Sequence, residues 1–271
     1  MNSSVTLLLR LFLTPFLIAG VSLAGRRWGP AVSGWLIGFP LTSGPISIIL
    51  ALQHNPDFAA RAAVGNLGGM ASICVFCLVY TLLARRFGWL ACALGAGVSF
   101  FISIAVWNSF SLALLPTLAV TLAINALVIR LMPRYPQLAQ ASALPRWDLP
   151  ARMLIAMLFV LLVTGFSSFL GPQLSGLITP YPVFGSILAA FAHHQQGPQA
   201  AVNFLRGHLL SLFGFAAFFL VVGGLLTRLG IPLTYLLATL AVLGVNGVML
   251  RVVRPLTPAP LPAGEGKKTR N

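Results

Sequence analysis

The sequence predicts an all-α integral membrane protein of about nine transmembrane helices, built as two inverted four-helix repeats joined by a linker helix. Three observations predict it. Of the 271 residues, 58% are hydrophobic and 7% charged, whereas a soluble domain carries about 25% charged residues to wet its surface. The apolar residues gather in runs near the ~20 needed to cross a hydrocarbon layer of about 30 Å. Finally, residues 29–88 recur without a gap as residues 171–230.

Nine runs are long enough to span: 5–24, 33–52, 62–84, 88–107, 110–131, 151–170, 176–193, 205–227 and 231–252. The stretch 88–131 divides into two helices, because one rod of that length would reach about 66 Å at 1.5 Å per residue. Asn108 and Ser109 are its natural turn. The small residues of Val21–Gly25 resemble a signal-cleavage site, but Met1–Val5 lacks a positive charge and Arg10 interrupts the run. A retained first helix is therefore expected. The Pro/Ala/Gly-rich tail 255–271, with Lys267, Lys268 and Arg270, reads as disordered and basic.

Orientation follows from the bases, which collect on the cytoplasmic side. With the N-terminus outside and the C-terminus inside, only Arg10, Arg61 and Arg228 of the 17 basic residues fall outside. An even number of spans would misplace either the 130–152 cluster or the Arg26-Arg27 and Arg85-Arg86 pairs. The expected location is a bacterial inner membrane.

Composition also excludes. Three acidic residues leave too little carboxylate for a general acid/base pair or a calcium cage. The net charge of +14 is scattered between apolar runs rather than clustered as nucleic-acid binding requires, so no nucleic-acid partner is expected. Three cysteines make no disulfide framework. Neither a nucleotide-binding loop nor a nucleophile elbow nor a catalytic triad is present, so an enzyme is not expected, and no cofactor.

The repeat is specific. Gly29-Pro30 falls on Gly171-Pro172, Ser33-Gly34 on Ser175-Gly176, Pro40 on Pro182, Gln53 on Gln195, Pro56 on Pro198, and Arg86 on Arg228. Sixteen of 60 positions are identical. Arg10 on Arg152 carries the match into the first helix. The units are then 1–109 and 147–254, with a linker helix and cytoplasmic loop at 110–146. That one extra crossing turns the second unit upside down, the plan of many secondary transporters, whose sites lie between the halves near the midplane.

The second span of each unit carries a proline break. Span 2 holds Pro40, Thr42, Ser43, Gly44 and Pro45, and span 7 holds Pro180, Tyr181, Pro182, Gly185 and Ser186. An interior proline removes a backbone donor and costs about 3 kcal/mol in a helix. Broken backbone at membrane depth is tolerated where it is buried in protein or lines a wet cavity. Carbonyls near 36–41 and 178–181 would then be free to hold a cation or a solute. Packing alone is the competing account, because proline is common in membrane helices.

Polar residues are sparse within the spans. Asn66 and His208 occupy equivalent repeat positions one turn into spans 3 and 8, where they either face the broken helix or meet the interface. Asn125 and Asn246 read as interhelical glue. His54, His193, His194 and His208 gather near two loops, but the topology separates His54 from the others, so no metal site is expected. Cys74 and Cys77 read as small core residues. Asp57 with Arg61 is an i,i+4 pair, expected as a solvated salt bridge, with an outer gate or proton-coupling carboxylate as its alternative role. Asp148, beside Arg146 and Arg152, reads as an interfacial helix start.

Ser175-Gly-Leu-Ile-Thr-Pro-Tyr-Pro182-Val-Phe, followed by Ala192-His193, Gly197 and Ala200-Ala201, resembles the GlpM-type small membrane proteins of bacteria, which are about half this length. The likeness covers about 60 residues per half, and Thr42-Ser43-Gly44-Pro45 departs from it. It implies an inner-membrane protein linked to surface polysaccharide production. Two functions follow as expectations. One is a permease or exporter of a small uncharged or anionic solute; its substrate pathway would comprise Pro40, Thr42, Ser43, Gly44, Pro45, Asn66, Pro180, Tyr181, Pro182, Gly185, Ser186 and His208. The other is a non-transporting scaffold or accessory subunit of an envelope or polysaccharide assembly. Partners would be the lipid bilayer, the solute, and either a second copy or an envelope complex.

Overall fold

A computed structural model describes residues 3–41, 43–53, 55–110, 112–135, 147–155, 157–158 and 181–253, with side chains from residue 16 to residue 251. Thr42, His54, Pro180, the side chain of Arg10, most of spans 6 and 7 before Tyr181, and the tail lie outside the described residues.

Every regular element among the described residues is a helix. They are α1 (Ser3–Trp28), α2 (Pro30–Ile37), α3 (Ser43–Gln53), α4 (Pro56–Leu83), α5 (Trp89–Asn108), α6 (Leu114–Leu131), α7 (Val183–Gln196) and α8 (Pro198–Val253). A further helical stretch opens at Asp148. Four helices among the described residues are long and apolar enough to cross a membrane: Pro56–Leu83, Trp89–Asn108, Leu114–Leu131 and Pro198–Arg251.

The sequence punctuates these helices with X-Pro steps. Proline at the first helical position loses no bond, since its missing N–H has no partner there anyway. α2, α4 and α8 open in this way at Pro30, Pro56 and Pro198. Asn55 caps α4 by accepting from the Phe58 N–H at 2.7 Å, which satisfies one orphan donor. Gly29 and Gly197 precede the other two with φ of 93° and 91° and extended ψ, a region that is essentially glycine-only. The boundaries at Pro56 and Pro198 stand 142 residues apart, the offset of the repeat.

Two expected breaks are present. The last two expected spans, 205–227 and 231–252, are two helical arms of α8 divided at Gly230, at φ 73° and ψ 177°, where the sequence placed their boundary. The turn between its arms, 198–229 and 231–253, needs no polar loop because a single left-handed glycine followed by Pro232 makes it. Span 2 is not one helix: it ends at Ile37 and restarts at Ser43, so the predicted break at Pro40 is present.

Packing sets the directions of the helices. α2 lies along α8 at a very close crossing. A Cβ added to Gly34 would overlap the Phe204 carbonyl, and one added to Gly207 would overlap that of Ala31. Small residues permit such approach where lipid supplies no hydrophobic drive between helices. α4 is enclosed by α5, α6 and α8. Near one end Gly223 lies against Ala63. Further along, Asn125 of α6 accepts from Cys74 at 3.5 Å and donates to the Leu209 carbonyl at 3.0 Å. As α4 advances, α8 recedes, so the two run antiparallel. Asn125 is thus the expected glue, and Cys74 and Cys77, both fully buried, are core.

Candidate functional site

α2 and α3 follow the first arm of α8 in the same direction. Gly34 meets Phe204 and His208, Gly38 meets Ser211, and Gly44 meets Phe218. The non-helical stretch Gly38–Leu41 is therefore held over the middle of α8. On the other side α7 begins directly after Pro182, and Gly185 places its backbone beside the His208 ring, with Nε2 3.9 Å from where a Cβ would stand. The two proline motifs meet here. Phe184 of α7 joins Ile37, Phe39 and Leu41 of the break, with Leu17 and Val21 of α1, around an apolar cavity of about 20 Å³, which is room for one water.

His208 sits between the motifs. It is 5% exposed, and neither ring nitrogen has a hydrogen-bond partner among the described residues. A buried polar group without a partner costs about 1–3 kcal/mol, so this imidazole is an unmet demand at the point where the break of span 2 meets the start of α7. Ser211, one turn further, accepts from Asn246 Nδ2 at 3.2 Å, while Asn246 Oδ1 is buried without a partner.

The other predicted site residues are distributed less evenly. Pro40, Gly44, Gly185 and Ser186 are buried, Ser43, Tyr181 and Pro182 are half-buried, and Pro45 is exposed. Ser186 Oγ turns back to the Val183 carbonyl at 3.0 Å. Tyr181 stacks on Phe101 and meets Phe76 and Phe100 edge-on, which ties the second motif to α4 and α5. Asn66, the repeat equivalent of His208, is half-buried and donates to the Ala62 carbonyl of its own helix at 3.0 Å. It does not reach the broken span.

Of the carbonyls expected to be free, four are occupied, and those of residues 178–180 lie outside the described residues. Leu36, Phe39 and Pro40 accept from the N–H groups of Phe39, Leu41 and Gly44 at 3.4, 2.7 and 2.8 Å. The Tyr181 carbonyl accepts from Val183 at 2.8 Å. Part of the break thus closes on itself with local turns.

A second polar centre was not anticipated. Asp148 opens its helix, as its neighbours suggested, but its side chain is fully buried. Arg26 Nη2 and Arg152 Nε donate to it at 2.9 Å each, and Gln195 donates as well. Arg152 Nη2 also donates to Gln195 Oε1 at 2.9 Å, and its guanidinium lies 4.9 Å from the Phe191 ring centre. Burial alone would raise the Asp148 carboxyl, but hydrogen bonds from Gln195, Arg152 and Arg26 outweigh it and hold the group below the usual carboxylate range. Asp57 and Arg61, in contrast, are both exposed and make no ion pair, so the expected surface bridge is absent. One signal for the buried centre was present in the sequence: Gln53/Gln195 and Arg10/Arg152 are among the few polar pairs kept between the repeats.

The same end of the bundle holds further polar links. Tyr80 meets His193 at 3.3 Å and Trp89 packs on His194. Arg206 donates to the carbonyls of Ile129 and Met132 at 2.7 and 2.9 Å, closing the C-terminus of α6. Compared with known proteins, the chain matches no protein-family model, no curated protein and no solved structure.

Proposed function

We propose that the chain is a membrane permease for a small solute, held here in a closed form. The observation that carries this reading is the meeting of the break at Gly38–Leu41 with the helix start after Pro182 around the buried, unpartnered His208. The antiparallel course of α4 and α8 supports two inverted four-helix units, as does the 142-residue offset between the Pro56 and Pro198 boundaries. Inverted units give one backbone two forms of similar energy, open to opposite sides. Nine spans with the N-terminus outside fit the links that join Arg26, Asp148, Arg152 and Gln195 at one end, within a bacterial inner membrane. His208 is the one ionisable side chain at the meeting point among the described residues, which suits an uncharged or singly anionic solute.

The test is osmotic swelling of proteoliposomes in glycerol, urea and potassium acetate. Flux of at least one probe above that of empty vesicles is expected. His208→Ala and Pro40→Ala should each lower it by about tenfold, which corresponds to roughly 1.4 kcal/mol, the worth of one good hydrogen bond. Correctly folded protein that passes none of the probes overturns the reading.

A second reading rests on the tightness of the same region: among the described residues the cavity at the meeting point has room for about one water, and four of its carbonyls are locally bonded. That density suits a non-transporting scaffold or accessory subunit, for which the GlpM-type resemblance supplies an envelope polysaccharide setting. Such a protein would tolerate both substitutions and co-purify with a stoichiometric partner.

A further inference from the structure

We propose that the pocket beneath the end of α1 binds a singly charged phosphate group, supplied by the headgroup of an anionic phospholipid. Ser22, Gly25 and Arg26 of α1, Pro30 and Ser33 of α2, and Arg152 line a partly open cavity of about 20 Å³ there. This site is separate from the meeting of the proline motifs, and it rests on membrane insertion alone, not on transport.

The donor set is the argument. Ser22 is 4% exposed and its Oγ has no partner among the described residues. Arg26 Nε is likewise buried without a partner. Arg152, 6% exposed, gives Nε to Asp148 and Nη2 to Gln195. Asp148 occupies only one nitrogen of each guanidinium, so part of each cation remains uncommitted. Ser33 has already given its hydroxyl proton to the Pro30 carbonyl at 2.8 Å and is not a donor here. Unmet donors in the wall of a cavity call for an acceptor, and two guanidiniums against one carboxylate leave one positive charge.

That surplus matches a phosphodiester, which carries a single negative charge. The cavity admits about one water-sized atom group, so one phosphoryl oxygen enters and the rest of the headgroup stays at the open mouth. Arg26 and Arg27 close the apolar run of α1, the depth at which basic side chains meet lipid headgroups. Free phosphate shares the chemistry but would carry between one and two charges at neutral pH.

Thermal unfolding of delipidated full-length protein in detergent tests this, with added phosphatidylglycerol, phosphatidylcholine, inorganic phosphate or chloride. Phosphatidylglycerol should raise the midpoint and phosphatidylcholine should not. Ser22→Ala should weaken the phosphatidylglycerol response by roughly tenfold in apparent affinity, one charge-assisted hydrogen bond, while not lowering the lipid-free midpoint, since it removes a buried hydroxyl without a partner. Equal responses to the two lipids, or an unchanged response in Ser22→Ala, overturn the site. Inorganic phosphate binding as tightly as phosphatidylglycerol overturns the lipid as its source, and a chloride response of equal size overturns phosphate chemistry. No solute flux is read, so failure here is distinct from failure of the permease.

Discussion

The chain contains two Asp-x-x-x-Arg pairs, and they behave in opposite ways. Asp57 and Arg61 stand on the first turns of α4, exposed and unbridged, whereas Asp148 and Arg152 are locked at 2.9 Å with the carboxylate wholly buried. Spacing is identical and chemistry is identical, so the difference must come from elsewhere. It comes from the third and fourth partners. Arg26 reaches Asp148 across 122 residues and Gln195 across 47, and packing of α1 and α7 removes the water. In water an i,i+4 pair is worth only tenths of a kcal/mol and is easily given up to solvation. Once buried, the same pair cannot be released, because an uncompensated charge would be left behind.

Removing the carboxylate should therefore produce the largest effect. Asp148→Ala leaves the buried Arg152 and the part-exposed Arg26 without their shared counter-charge, and we expect a loss of about 3 kcal/mol, the scale for breaking a buried pair. Denaturant or SDS titration of the purified protein measures it. A loss no greater than that of a surface substitution would show that the two pairs do not differ.

Acid should produce a partial version of the same loss. The folded Asp148 carboxyl is depressed, while in the unfolded chain it titrates near pH 4. Its contribution is complete above about pH 4 and disappears as pH falls through the folded value. The wild-type midpoint should drop below about pH 4, with that slope flattened in Asp148→Asn. An identical acid profile in both would remove Asp148 from the explanation.

The neutral partner is next in size. Gln195→Leu deletes one donor to Asp148 and one acceptor for Arg152, and about 1–2 kcal/mol is expected. Gln195→Glu sharpens the result, since a second carboxylate beside Asp148 should repel it yet still accept from Arg152.

This contrast also explains what was legible. Regularities within one stretch of chain were readable: the apolar runs of α4, α5 and α6, the break at Pro40, the core placement of Cys74 and Cys77, and Asn125 as a lone amide. Features made by distant segments were not. Nothing local distinguishes Asp148 from Asp57, because desolvation is conferred by α1 and α7. Asn66 and His208 looked equivalent by repeat position, yet one back-bonds to its own helix and the other is sealed between α2 and α7. The break between the last two spans, by contrast, was legible in Gly230-Ile231-Pro232 alone, without any polar residue.

The smallest expected effect is the most discriminating. In a double-mutant cycle, Asp57→Ala, Arg61→Ala and the pair together should show no coupling, since no bond joins the two side chains and exposed charges are screened. The corresponding cycle at Asp148 and Arg152 should show strong positive coupling, because either single change orphans the other residue in a dry site. The alternative assigned to Asp57 and Arg61, an outer gate, makes the opposite demand. A gate that closes in another conformation would leave stability unchanged here but alter flux in Arg61→Ala vesicles. Unchanged stability together with unchanged flux would leave the pair as a solvated helix start. Only burial, then, converts this spacing into structure.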